Sequence, residues 1–188
     1  NMDNSTFEII RISTLNKLAN TSVQRKTLMN NIIRNDKISY KDRNALLQEK
    51  FNLNNLKFDS EIYKHFKDDE EIIKLQTEDG LLNHLKNEIQ FNKHGKWIGL
   101  KMFHTAKKNL FVVNDMLVWY RPNDNKILPV VTKEYLTNLI IILHKKNHEG
   151  IPKTQNRVKK YFFYPNVEFL TSEIISSCYP CQIKKPNI

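Results

Sequence analysis

Two short stretches of the sequence decide how its C-terminal part folds: His144–His148 (HKKNH) and Cys178–Cys181 (CYPC). A spacing of four residues places both imidazoles on the same side of a helix or of its final turn. A Cys-x-x-Cys turn lets two thiolates converge on one ion, and Pro180 suits the tight bend. Two nitrogen and two sulfur ligands match tetrahedral Zn²⁺ at a closed site. The sequence therefore predicts one structural zinc ion, held by His144, His148, Cys178 and Cys181.

Each half of this pattern also has a simpler interpretation. Histidines four residues apart are common on solvated helices, and a Cys-x-x-Cys pair can be redox-active, although no βαβ pattern precedes this one. Two cysteines so close together rarely form a structural disulfide, so a metal and a reducing compartment are favoured. The histidines come before the cysteines, the reverse of the common DNA-reading zinc finger. We expect the other histidines at the surface: His65, His84, His94 and His104.

Helices are predicted on both sides of His148. The apolar spacing predicts a long helix from Thr132, its N-cap, to Leu143, so that His144 arrives near its end. Two further helices are predicted near Lys153–Phe162, with Thr154 as a candidate cap, and near Asn166–Ser177, with Pro165 between them. The large apolar side chains of these helices are expected to form a small core above the ion: Leu139, Ile140, Leu143, Val158, Phe162, Leu170 and Ile174. For Tyr161–Tyr164 we favour a place in this core over base stacking.

Ahead of this module the sequence predicts a small antiparallel β element, with strands near Asn109–Val113, Met116–Tyr120 and Lys126–Val131. An amphipathic helix containing Leu81, Leu82, Leu85 and Ile89 precedes it. The fold class is therefore mainly α with a small antiparallel β element. We divide the chain into a helical region of unknown role (1–78), a helix with a small β-sheet (79–131) and a three-helix, zinc-stabilised module (132–188).

Several short motifs stand in a fixed order along residues 116–188: Met116–Tyr120 (MLVWY), Ile127–Val130 (ILPV), His148–Thr154 (HEGIPKT), Tyr161–Pro165 (YFFYP), Cys178–Gln182 (CYPCQ) and the basic Lys184–Pro186. This set closely resembles the amino-terminal HHCC zinc-binding segment of integrases from Ty3/gypsy-type LTR retrotransposons and their retroviral relatives. Residues from Asp79 onward resemble, more weakly, the extension that precedes the module in some relatives. The resemblance implies an integrase fragment or a domesticated derivative of one.

The sequence departs from this family at two points. Three residues separate the histidines, fewer than in many gypsy-type elements and similar to retroviral integrases. The catalytic domain of the family, with its carboxylate triad, would begin beyond Ile188, and the acidic run Asp68–Glu71 is better interpreted as a solvated face. We therefore expect this polypeptide not to be an enzyme by itself.

The net charge of +10 favours an anionic partner. From His144 to Ile188 there are seven Lys and one Arg against three Glu, a net charge of +5. One hypothesis is a DNA-binding and assembly module with weak, mostly non-specific phosphate contacts. The expected contacts are Lys153, Arg157, Lys159, Lys160, Lys184 and Lys185.

The alternative is a protein-interaction or oligomerisation module that recruits a partner through its amino-terminal helices. The acidic run and the long helical region of residues 1–78 favour this alternative mildly. No apolar run approaches the roughly 18 residues of a membrane span, so no membrane partner is expected. The resemblance implies a nuclear location, or a cytoplasmic and nuclear one, in a reducing compartment.

Overall fold

The computed structural model describes residue 42 and residues 69–90, 101–124 and 126–183. The elements in chain order are α1 (Asp69–Glu78), α2 (Gly80–Gln90), 3₁₀ turns at Lys101–Phe103 and Lys107–Asn109, β1 (Leu110–Val113), β2 (Met116–Arg121), β3 (Lys126–Pro129), α3 (Lys133–Asn147), α4 (Ile151–Tyr161), α5 (Val167–Ser176) and α6 (Tyr179–Ile183). The predicted fold class, mainly helical with a small antiparallel sheet, is confirmed. Apart from residue 42, the helical region predicted within residues 1–66 lies outside the described residues.

The sheet has the order β1-β2-β3, and both neighbouring pairs are antiparallel. Asn114 and Asp115 connect β1 to β2 with φ values of 47° and 62°. A two-residue loop with positive φ at both positions matches the twist of a hairpin, and Asn and Asp tolerate that conformation well. The register places Val113 opposite Met116 and Leu110 opposite Trp119.

A buried glutamine joins α1 to the sheet. Gln76 is fully buried, and its Nε2 donates to the backbone oxygens of Leu117 (2.9 Å) and Val130 (2.6 Å). The backbone N–H of Leu117 donates to Oε1 of the same side chain at 2.7 Å. The amide therefore satisfies buried backbone groups of β2 and of the segment that follows β3, as a neighbouring strand would.

The long helix α3 begins as predicted, because the Thr132 hydroxyl accepts a hydrogen bond from the backbone N–H of Tyr135 at 3.1 Å. The prediction that Thr154 caps α4 is wrong. The helix starts earlier, with Gly150 at the N-cap and a proline in its first turn, so Thr154 lies inside it and is fully buried. The predicted core residues all pack in one apolar cluster, of which Ile174 is only partly buried.

The sheet packs directly against the C-terminal helices. Residues Val130 and Phe163 form a parallel bridge, with the Val131 N–H donating to the Phe163 oxygen (3.1 Å) and the Phe163 N–H to the Pro129 oxygen (3.0 Å). The cluster that contains the core of the helices also contains sheet residues such as Phe111 and Tyr120. The sheet thus supports the helices that carry the four metal-ligating side chains. Within the described residues, no helix combines the length and apolar character that crossing a bilayer requires.

Candidate metal centre

The ends of three helices bring the predicted ligands together. His144 lies in the last turn of α3, and His148 is the residue that caps this helix, with a left-handed backbone (φ 48°). Cys178 follows Ser177, the C-cap of α5, and Cys181 lies in α6. One ligand atom from each of these four side chains lies within 4.8 Å of the other three.

The distances fit a tetrahedral ion. A Zn–S bond near 2.3 Å and a Zn–N bond near 2.0–2.1 Å, at a tetrahedral angle, separate sulfur from nitrogen by about 3.6 Å. The Cys181 Sγ lies 3.4 Å from His144 Nε2 and 3.3 Å from His148 Nδ1, and the Cys178 Sγ lies 3.5 Å from His148 Nδ1. The donor set and its spacing therefore fit Zn²⁺ without rearrangement.

The tautomer of His144 is fixed by a backbone oxygen. Its Nδ1 lies 2.9 Å from the carbonyl oxygen of Glu149, and the ring is buried. Because a carbonyl oxygen can only accept, Nδ1 carries the proton and Nε2 offers its lone pair to a metal. His148 presents Nδ1 instead, and its ring stands nearly perpendicular to that of His144.

The Cys-x-x-Cys segment was predicted as a tight turn and forms a short helix instead. The backbone N–H groups of Cys181 and Gln182 both donate to the oxygen of Cys178, at 3.1 Å, and Pro180 stands in the first turn, where no N–H is needed. The His144 side chain, followed by the Cys181 backbone N–H, lowers the pKa of Cys178 to about 6. A thiol with a lowered pKa gives up its proton to a metal more easily.

Comparison with protein families agrees with this geometry. Residues 131–187 match the family model described as the integrase zinc binding domain. These residues are an integrase zinc-binding domain of the HHCC type. The match and the ligand distances together confirm the predicted zinc cofactor, with one His₂Cys₂ group close enough to hold one ion. Comparison with curated proteins and with solved structures gives no match.

Bound zinc would act structurally in the integrase zinc-binding domain. The four side chains would tie the end of α3 to α6, so that the binding free energy of the metal becomes folding free energy. The match covers this domain alone and leaves residues 1–130 outside it. Within the described residues, no second group of His, Cys, Asp or Glu side chains lies close enough to hold a metal.

The predicted phosphate contacts on α4 have partners in the protein. Lys153 Nζ and Arg157 Nη1 both lie 3.2 Å from Oε1 of Glu149, and Lys159 forms an ion pair with Glu168. The ammonium group of Lys160 lies 5.0 Å from the centre of the Tyr161 ring. Lys184 and Lys185 lie outside the described residues. The role of all six in nucleic-acid binding stays a prediction.

Sequence analysis missed Glu149. Its side chain is only 5% exposed, although it carries a carboxylate beside two cations. Burial alone would raise the pKa of Glu149, but the hydrogen bonds from Lys153 and Arg157 outweigh it and lower the pKa. The sequence did contain a signal, because Lys153 and Arg157 lie one helical turn apart on the same face of α4, which begins just after Glu149. Of the scattered histidines, His84 and His104 are both exposed as expected, while His65 and His94 lie outside the described residues.

Proposed function

We propose that this zinc-binding module binds DNA and supports assembly, as part of a Ty3/gypsy-type retrotransposon integrase or of a host protein derived from one. The observation that carries the proposal is the integrase zinc-binding domain at residues 131–187, in a chain whose net charge is +10. Contacts from lysines to phosphates give affinity and register without reading sequence. Binding would therefore be weak, sensitive to salt and mostly independent of sequence.

The exposed lysines of α4 support this location for the contact. Lys153 keeps 71% of its side chain exposed, Lys159 keeps 39%, and Lys160 is exposed. Ion pairs between exposed groups contribute little, so a DNA phosphate can replace Glu168 as the partner of Lys159. Lysines at this helix would thus bind the DNA backbone.

The test is fluorescence anisotropy of a labelled DNA duplex against the zinc-loaded full chain across a salt series. The variant Lys159→Glu/Lys160→Glu removes the proposed contacts. The matched control is Lys74→Glu/Lys133→Glu, which changes the net charge equally at two exposed lysines outside the domain's α4. We expect affinity to fall steeply with salt, to collapse in the α4 variant, and to fall modestly in the control.

Two results would contradict the proposal. The absence of binding at low salt would remove DNA as the partner of this chain. Equal losses in the two variants would mean that the overall charge attracts DNA and that α4 is not its contact.

A second candidate function, protein interaction, is supported by exposed apolar side chains on α5 and α6. Phe169 is 71% exposed, Tyr179 72% and Ile183 65%. Large apolar groups in such positions are typical of protein contacts. Sedimentation of the zinc-loaded chain and of Phe169→Ser/Tyr179→Ser tests this function. Self-association that resists salt and is lost in the variant would favour protein interaction. A monomer at all concentrations would contradict a homo-oligomer.

The proposal also places the protein in the nucleus, or in both nucleus and cytoplasm. DNA is found there, and both free cysteines require a reducing compartment. Microscopy of the tagged full chain in cells tests this, and exclusion from the nucleus would contradict it. The proposal gives this chain no strand-transfer chemistry.

A further inference from the structure

Glu149 lies between α3 and α4, directly after the ligand His148. Its backbone oxygen accepts the hydrogen bond from His144 Nδ1 (2.9 Å) and faces the hydroxyl of the fully buried Thr154 (3.4 Å). Its carboxylate accepts from Lys153 and Arg157, on the first two turns of α4. One residue therefore contacts a zinc ligand through its backbone and the next helix through its side chain.

We propose that Glu149 is a positioning residue of the zinc centre, and that Arg157 acts with it rather than as a phosphate contact. The ion pair holds the backbone of Glu149 against α4, and the Glu149 oxygen in turn holds the His144 ring in the orientation that directs Nε2 at the metal. This role goes beyond the proposed function and does not depend on DNA binding.

The burial of the ion pair separates Arg157 from the other basic residues of α4. The Glu149 side chain is 5% exposed and that of Arg157 is 27% exposed, whereas Lys153 is 71% exposed. The second carboxylate oxygen, Oε2, is buried and has no hydrogen-bond partner among the described residues. Removing Arg157 would leave a buried carboxylate with one solvated partner, and such a charge is unfavourable.

The side chain of Arg157 also points toward Glu149, and a residue that only contacts phosphate would have no reason to point there. Arg157 is eight residues, or about two helical turns, beyond Glu149, so its side chain reaches back toward the start of α4 and the metal centre. Lys159, only two residues further on, pairs with Glu168 of α5 instead. Arg157 therefore pairs near the metal centre and Lys159 pairs with α5. Replacing each of them in turn removes one positive charge from the same helix, so the two variants can be compared directly.

The experiment measures zinc affinity of the full chain by competition with a chelator, together with the visible absorption of the Co²⁺-loaded protein. Outer-shell partners typically contribute 10–100-fold to metal affinity. We expect Glu149→Gln and Arg157→Gln to weaken zinc binding by about that range and to change the Co²⁺ spectrum. Arg157→Lys should recover most of the affinity, and Lys159→Gln, which removes the same charge from the same helix, should leave it within about twofold.

Val158→Ala shows what a general loss of stability in α4 looks like, because it removes part of a buried side chain of this helix. It serves to distinguish the proposed positioning role from a purely structural one. That variant should lower the melting temperature without altering the Co²⁺ spectrum, because it does not contact the centre. The proposal is overturned if Glu149→Gln and Arg157→Gln keep native zinc affinity. It is also overturned if they behave like Val158→Ala, or fail to fold in saturating zinc. Failure of DNA binding would leave all these measurements unchanged.

Discussion

The indole of Trp119 stacks on the ring of Phe163, with 4.3 Å between the ring centroids and 17° between the planes. Trp119 belongs to β2, and Phe163 lies between α4 and α5. The contact joins the sheet to the integrase zinc-binding domain, beside the backbone bridge between Val130 and Phe163. The domain therefore packs against residues that its family match does not include, and we expect its stability to depend on them.

Replacing Trp119 tests this dependence. Removing the indole leaves Phe163 without its stacking partner, so Trp119→Ala should lower the free energy of unfolding by about 3 kcal/mol. Trp119→Phe keeps an aromatic ring and should lose less. Urea denaturation of the zinc-loaded chain measures both values. A loss below about 1 kcal/mol in Trp119→Ala would mean that the domain does not need the sheet.

Removal of zinc should unfold the domain. Structural zinc contributes about 10 kcal/mol or more of binding free energy in small zinc modules, comparable to the whole stability of a domain. Excess chelator should therefore abolish much of the helical circular dichroism signal, and restored zinc should recover it. Cys181→Ser should mimic chelation, while Ser176→Ala, exposed at the end of α5, serves as the control. A chelated chain with native helicity would show that the apolar core alone holds α3 to α6.

The buried amide of Gln76 should be important for stability. In Gln76→Leu the Leu117 N–H and the Val130 oxygen lose this partner, and unsatisfied buried groups cost about 1–3 kcal/mol each. We expect about 3 kcal/mol of destabilisation by thermal or urea unfolding. Glu70→Gln, at an exposed position of the same helix, is the control. Native stability in Gln76→Leu would show that backbone shifts or water replace the amide.

The ion pair between Lys159 and Glu168 should be visible in a titration. The hydrogen bond from Lys159 lowers the pKa of Glu168 below its ordinary value of 4.5. A lowered carboxylate pKa stabilises the fold above the unfolded pKa, and this contribution disappears as the pH falls through the folded pKa. Since Glu168 is 58% exposed, the contribution should stay below about 1 kcal/mol.

Carbon-detected NMR of the Glu168 carboxyl group measures this pKa, and Lys159→Gln should return it toward 4.5. An unchanged Glu168 pKa in Lys159→Gln would contradict the assigned cause of the shift.

Local patterns predicted much of the fold and the metal ligands. His144 and His148 lie one helical turn apart, and Cys178 and Cys181 share a short segment, so each pair could be recognised from its own neighbours. The strands were likewise predicted to within two residues at each end, because turn residues separate them.

Contacts between distant residues could not be predicted in this way. The partners of Gln76 lie 41 and 54 residues further along the chain, and nothing near Gln76 distinguishes it from a solvated helical glutamine. The cap of α4 was misassigned because Thr154 has the right chemistry, whereas Gly150 and the following proline start the helix one turn earlier. The burial of Glu149 likewise depends on how α3 and α4 meet.

The left-handed backbone of His148 has a consequence for how this domain tolerates insertions. The same residue ends α3 and supplies a ligand atom, so the length of the helix determines where the second imidazole stands in the metal centre. One residue added between His144 and His148 would turn the second imidazole by about 100° around the helix axis. In this chain the length of α3 and the geometry of the metal centre are therefore coupled, so that a change in one requires a compensating change in the other.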